Sequence, residues 1–222
     1  MSGSNPTPVS AAAATGEVSE PWRVLCDTLH AAYQTGNMVR GGEFVAKVID
    51  AAEAAGHHPD IDLRYGSVHL ALTTHSAHRL TDADVALANA IAAIADHMGL
   101  DATAAPPGRF EVAIDALDIA RIRPFWKAVL GYRDEPEGGP VDLTDPAGIL
   151  PAIWFQQMDE PRPQRSRVHV DFWVPHDLVQ ERVATAVEAG GHLVTDEFAP
   201  TWWVLADAED NEICLCAWPE RG

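Results

Sequence analysis

The sequence predicts an α+β protein of two domains, and three observations carry that reading. Helix-period and strand-period segments alternate through the first half. The second half runs strand, helix, three strands, and then repeats that order, an internal repeat by pattern. Between the halves, Pro106-Pro107-Gly108 breaks the chain just after a complete helix. The expected boundaries are a disordered tail over 1–19, a first domain over 20–105, a linker over 106–108 and a second domain over 109–222. The tail assignment rests on its Ser, Pro, Ala, Thr and Gly content.

Composition narrows the function classes. The 222 residues are 47% hydrophobic, enough apolar material for a core in each half, and carry a net charge of −18. Both halves are acidic, so neither offers a basic stripe for nucleic acid or an anionic membrane. The three cysteines follow no disulfide framework, which points to reduced thiols and a cytoplasmic protein. Cys214-x-Cys216 reads as two small residues on one strand face. A basic, apolar leader is not seen, nor is an apolar run of membrane-spanning length.

In chain order, Trp22 to Leu29 reads as a short helix and His30 to Thr35 as a strand before the turn Gly36-Asn37. Glu43 to Ala55 is a helix, because Phe44, Val48, Ile49 and Ala52 recur at helical spacing and Gly56 stops it. Leu63 to Thr74 reads as one strand, with Val68, Leu70 and Leu72 on one face and Tyr65, His69 and His75 on the other parity. Thr81 caps a helix over about Asp82 to Met98, and Gly99 ends it. In the second half the strands are Phe110–Leu117, Tyr132–Glu135, Pro140–Leu143 and Ile149–Gln157, with a helix at Ile119–Leu130. The repeat has strands Arg167–Val174, His192–Glu197, Thr201–Ala206 and Glu212–Ala217, with a helix at Asp177–Ala189.

The chemistry concentrates between Glu53 and Asp84, which hold five of the ten histidines: His57, His58, His69, His75 and His78. Histidine exchanges protons near neutral pH. A His57-His58-Pro59 turn, stiffened by the proline, and His75 at a strand end therefore read as an acid–base site. His57 and His75 are the expected pair, with His58 binding or assisting. Zinc is the competing reading, since His75-x2-His78 and the turn histidines include ligand types, but no cysteine or further anchor supports it. His69 reads as a sheet residue, and His30, His78 and His97 as surface. Glu53 and Asp84 fit helix-end or capping roles as well as the site.

The run Glu53-x3-His57-His58-Pro59-x5-Tyr65-x9-His75-x8-Asp84 resembles the pterin-4a-carbinolamine dehydratase family, over about Trp22 to Ala95. The resemblance implies an antiparallel four-stranded sheet with helices on one face. It implies dehydration of 4a-hydroxytetrahydrobiopterin to quinonoid dihydropterin, in tetrahydrobiopterin recycling, with no cofactor and no metal. Such a reaction protonates the C4a hydroxyl and removes the N5 proton, work for two groups on different sides of a flat ring. By resemblance, Gly56, His57, His58, Thr73, Thr74, His75 and Ser76 bind the substrate, with Glu53, Tyr65 and Asp84 supporting. The implied partners are a pterin and a second copy of the chain in a homo-oligomer, a dimer.

The second half resembles the vicinal oxygen chelate superfamily, the glyoxalase/bleomycin-resistance fold. The residues are Phe125-Trp126-x3-Leu130-Gly131-Tyr132, Arg167-Val-His169-Val-Asp171 and Leu205-Ala-Asp207-x3-Asn211-Glu212. Metal-binding positions of that fold fall at Glu111, Trp154, His169 and Cys214. Tryptophan is no ligand for a hard divalent ion and Glu212 is displaced by two, so no metal site is expected. Trp154, Trp202, Trp203 and Phe172 line a cup or fill the core. Two rival functions stand beside the dehydratase: a non-catalytic binding or scaffold protein, and a lyase or dioxygenase activity in the second domain.

Overall fold

The computed structural model describes residues 6–77, 79–103, 110–135, 142–161, 168 and 170–217. The chain divides into two compact units, Met1–Arg109 and Phe110–Gly222. The expected linker, 106–108, lies outside the described residues, as do His78, Arg167 and His169.

The first unit runs α1 (Ala11–Glu17), β1 (Arg23–Leu25), β2 (Thr28–Gln34), α2 (Met38–Ala55), β3 (Asp60–Leu63), β4 (Ser67–Leu72), α3 (Asp82–His97) and β5 (Asp101–Ala102). The sheet has the order β1-β2-β4-β3, all antiparallel, and β5 adds a fifth short strand on the far end of β2. Leu29, Ala31 and Tyr33 of β2 and Val68, Leu70 and Leu72 of β4 form its apolar face. They pack with Phe44, Val48 and Ala52 of α2 and Leu87, Ala88, Ile91 and Ala95 of α3. α2 begins earlier than its apolar period indicates, because the Asn37 side chain caps it by accepting the Arg40 N–H at 3.0 Å.

Three expectations are corrected. The tail over 1–19 contains α1, capped by Ser10, whose Ala14 is fully buried. It is held from outside itself: Val9 N–H donates to Leu80 O at 2.9 Å, and Asn89 Nδ2 donates to Glu17 O at 2.9 Å. The short helix expected at 22–29 is a hairpin. Cys26 and Asp27, at φ 48° and 56°, make a two-residue turn between Leu25 and Thr28, the left-handed pair that matches strand twist. The single strand expected over 63–74 is the β3–β4 hairpin, so Tyr65 sits in its turn, 74% exposed. His75 follows the sheet as the first residue of one 3₁₀ turn, His75–Ala77.

The second unit contains β6 (Glu111–Ala116), α4 (Ile119–Leu130), β7 (Arg133–Asp134), β8 (Leu143–Thr144), β9 (Ala152–Gln157), β10 (Asp171–Trp173), α5 (Val179–Glu188), β11 (His192–Thr195), β12 (Trp202–Ala206) and β13 (Glu212–Cys216). Its two sheets have the orders β6-β9-β8-β7 and β10-β13-β12-β11. In each, the first strand runs parallel to the last. The doubled order read from sequence is therefore a doubled topology. Residues of both repeats share one core, including Ile114, Phe125, Trp126, Phe155, Trp203, Leu205 and Leu215. Before β9, the Asp145 carboxylate accepts from the N–H groups of Ala147, Ile149 and Leu150, each at 3.0 Å. Burial pushes that carboxyl's pKa up, but these bonds and Arg133 outweigh it and hold the group below its ordinary range.

Candidate active site

α2 must stop abruptly for its last residues to reach the site. Gly56 does this with φ 62°, a left-handed cap that a side chain would strain. The next residue, His57, is folded back under the helix end, its N–H donating to Ala52 O at 3.2 Å. Its side chain is 14% exposed, and Nε2 lies 2.7 Å from Oδ1 of Asp84, whose side chain is fully buried. Twenty-seven residues of chain separate the two, so the contact exists only in the folded unit.

Asp84 is held by the start of its own helix. Oδ2 accepts from Thr81 N–H at 2.8 Å, which caps α3, and from the Thr74 hydroxyl at 2.7 Å. Thr74 immediately precedes His75, so this one carboxylate joins the His57 turn to the segment that carries His75. The part-buried pair follows the logic of a carboxylate that orients an imidazole.

The other expected residues fall into different settings. His58 Nε2 lies 3.1 Å from Glu53 Oε1, an exposed pair that contributes little to stability. His75 and Ser76 are exposed on the 3₁₀ turn. Thr73 donates its hydroxyl to Asp27 O at 3.0 Å, which ties the β1–β2 turn to the same wall. Thr74 is 6% exposed with its hydroxyl committed inward, so only its backbone is left to face a ligand. Tyr65, on its exposed turn, makes no described contact with these groups. Thr81 was legible only as a helix cap. The Thr-x-x-Asp spacing signals a capping pair, but nothing in it says that the aspartate's second oxygen meets a histidine.

The second unit carries aromatic and thiol side chains along one face of its β10-β13-β12-β11 sheet. Register puts Trp173, Cys216 and Trp202 side by side, and Asp171, Cys214 and Val204 in the next row of the same face. Phe198 stacks on Trp202 with centroids 4.5 Å apart. Trp203 and Phe172 belong to the opposite face and pack in the core. Burial, then the neighbouring Asp171 carboxylate, pushes the Cys214 thiol up to about 11. Among the described residues, no three His, Cys, Asp or Glu side chains converge as a metal site.

The comparisons with known proteins agree with this division. Residues 7–94 match the family described as Pterin 4 alpha carbinolamine dehydratase, and 111–216 match the family described as Glyoxalase-like domain. A provisionally named pterin-4-alpha-carbinolamine dehydratase of Chloroflexus aurantiacus is 49% identical over 70 residues, 32% of this chain and 75% of that protein. The chain belongs to the pterin-4-alpha-carbinolamine dehydratase family. A relative of the same name from Acidobacterium capsulatum is 44% identical over 73 residues, 33% of this chain and 79% of its own. The solved transcriptional coactivator/pterin dehydratase from Brucella melitensis is 22% identical, covering 40% of this chain and 99% of its own, with a TM-score of 0.38. In this family member the dehydratase-like unit is followed by a glyoxalase-like one, and no helix among the described residues is long and apolar enough to cross a membrane.

Proposed function

We propose that the first unit dehydrates 4a-hydroxytetrahydropterins, 4a-hydroxytetrahydrobiopterin among them, to the quinonoid dihydropterin and water. The observation that carries this reading is the buried Asp84 beneath His57, joined through Thr74 to the segment of His75. One histidine delivers a proton to the C4a hydroxyl, which leaves as water as the C4a–O bond breaks. The other removes the N5 proton, whose electron pair forms the new N5–C4a double bond. His57 and His75 are the pair, and His58 with Glu53 assists at the exposed rim. Gly56, Thr73, the Thr74 backbone and Ser76 line the ring. The step needs no electron transfer, so it asks for no redox cofactor, and we assign no metal. Operation as a cytoplasmic homodimer belongs to the same proposal, since a unit this small buries limited apolar surface alone.

The aromatic face of the second unit supports small-molecule binding there without a reaction assigned to it. The test is stopped-flow dehydration of 4a-hydroxytetrahydropterin by the full chain, with and without chelator. The chelator leaves the rate unchanged. His57→Ala and His75→Ala each lower it by roughly 10²-fold, the scale of a lost acid or base. Rates like those of the unaltered chain in both variants would sink the assignment.

A further inference from the structure

The hydroxyls of Thr74 and Thr81 have no part in the chemistry above. Thr74 is 6% exposed and Thr81 0%, so neither hydroxyl reaches a ring lying against the histidines. Both are aimed at Asp84. Oδ2 collects the Thr74 hydroxyl at 2.7 Å, the Thr81 N–H at 2.8 Å and the Thr81 hydroxyl at 3.1 Å. The two hydroxyl oxygens are 2.7 Å apart, so one also lies within donating distance of the other. Such a chain polarises its members and fixes the carboxylate's rotation.

With Oδ2 filled, Oδ1 is left to His57 Nε2 at 2.7 Å. An ionised carboxylate oxygen only accepts, so Nε2 is the donor of this bond, and in a neutral ring the lone pair falls on Nδ1. Nδ1 meets no partner among the described residues. The chain N-terminal to α1 closes the outer side of the network. Pro8 bridges Thr81, and Val9 N–H donates to Leu80 O. Thr7 N–H donates to Asp82 Oδ1, and Asp82 N–H donates to Thr7 O. Water is thereby kept from competing for Oδ2.

We propose that Thr74 and Thr81 are positioning residues that, through Asp84, hold His57 as the Nε2–H tautomer and make Nδ1 its proton-exchanging nitrogen. The catalytic part rests on the dehydratase reading; the tautomer does not. The experiment is long-range ¹H–¹⁵N NMR of the full chain at neutral pH, with the His57 signals assigned by their loss in His57→Gln. It is paired with kcat and KM for dehydration. The unaltered chain shows a single Nε2–H tautomer at His57. Thr74→Val, which keeps the shape and removes the donor, gives a tautomer mixture and lowers kcat by roughly 10-fold with little change in KM. Thr74→Ser restores both. An unaltered His57 that carries its proton on Nδ1, or is already a mixture, overturns the proposal without any variant. So does a folded Thr74→Val with the tautomer unchanged. A locked tautomer in a chain that does not dehydrate the pterin sinks the reaction and leaves the lock standing.

Discussion

Cys214 and Cys26 are the same side chain in opposite settings. Cys26 is exposed at the tip of the β1–β2 turn, and Cys214 is buried. Burial first, then the nearby carboxylates, raises the Cys214 thiol from 9.0 to about 11. At pH 8 an ordinary thiol is about 10% thiolate, and one at 11 is about 0.1%, so alkylation slows by about 100-fold before access is counted. Iodoacetamide with peptide mapping of the native chain should therefore modify Cys26 and spare Cys214. Equal labelling of both would contradict the burial argument. The same shift has a stability sign. The folded state holds the Cys214 proton more tightly, so its contribution is complete below about pH 9 and lost as pH rises towards 11. At this scale sequence reading found the histidines, because their residue types and spacing are uncommon. It missed the inward commitment of the Thr74 hydroxyl, because hydroxyl direction is settled by which acceptor folding brings near.

The element that joins the two repeats of the second unit is the turn between β12 and β13. Asp207 is fully buried and accepts from Trp126 Nε1 at 2.9 Å, Asn211 Nδ2 at 2.8 Å, and the N–H groups of Glu209 at 2.8 Å and Asn211 at 3.0 Å. Glu209 in the same turn accepts from the N–H groups of Leu117 and Asp118 at 2.8 and 2.7 Å. One turn of the second repeat thus holds both the start of α4 and its tryptophan. Asp207→Asn keeps the size but sets an amide donor against these donors. It should cost about 2–4 kcal/mol, the scale of leaving buried polar groups unmatched. Urea denaturation followed by tryptophan fluorescence measures this, and an unshifted midpoint would refute it. Long elements such as α3 and α4 were legible because many residues vote on their period. The β3–β4 hairpin was not. Arg64 to Gly66 lack a strong turn signature, and the alternation on either side reads as one strand until backbone pairing between Asp60–Leu63 and Val68–Ala71 is seen.

At the scale of the whole molecule, each half has its own core cluster and its own sheets. Residues 1–105 expressed alone should therefore fold, with a cooperative melt followed by circular dichroism, and keep the dehydration rate of the full chain. At this size the apolar burial is small, and self-association is expected to help. A folded but inactive fragment would mean that the second unit contributes to the pterin site. An unfolded one would mean that the division at the linker is wrong. The sequence by itself determined the two-unit α+β order, the doubled repeat and the histidine set, because these are properties of period, spacing and residue type. Only the tertiary structure decided that residues 6–19 are not a free tail. Ala14 needs a core to enter, and Val9 needs the Leu80 carbonyl, neither of which exists locally. It also decided what Asp84 meets. A capping aspartate looks the same in any helix start. This one meets a histidine because folding sets His57, Thr74 and Thr81 around a fully buried carboxylate.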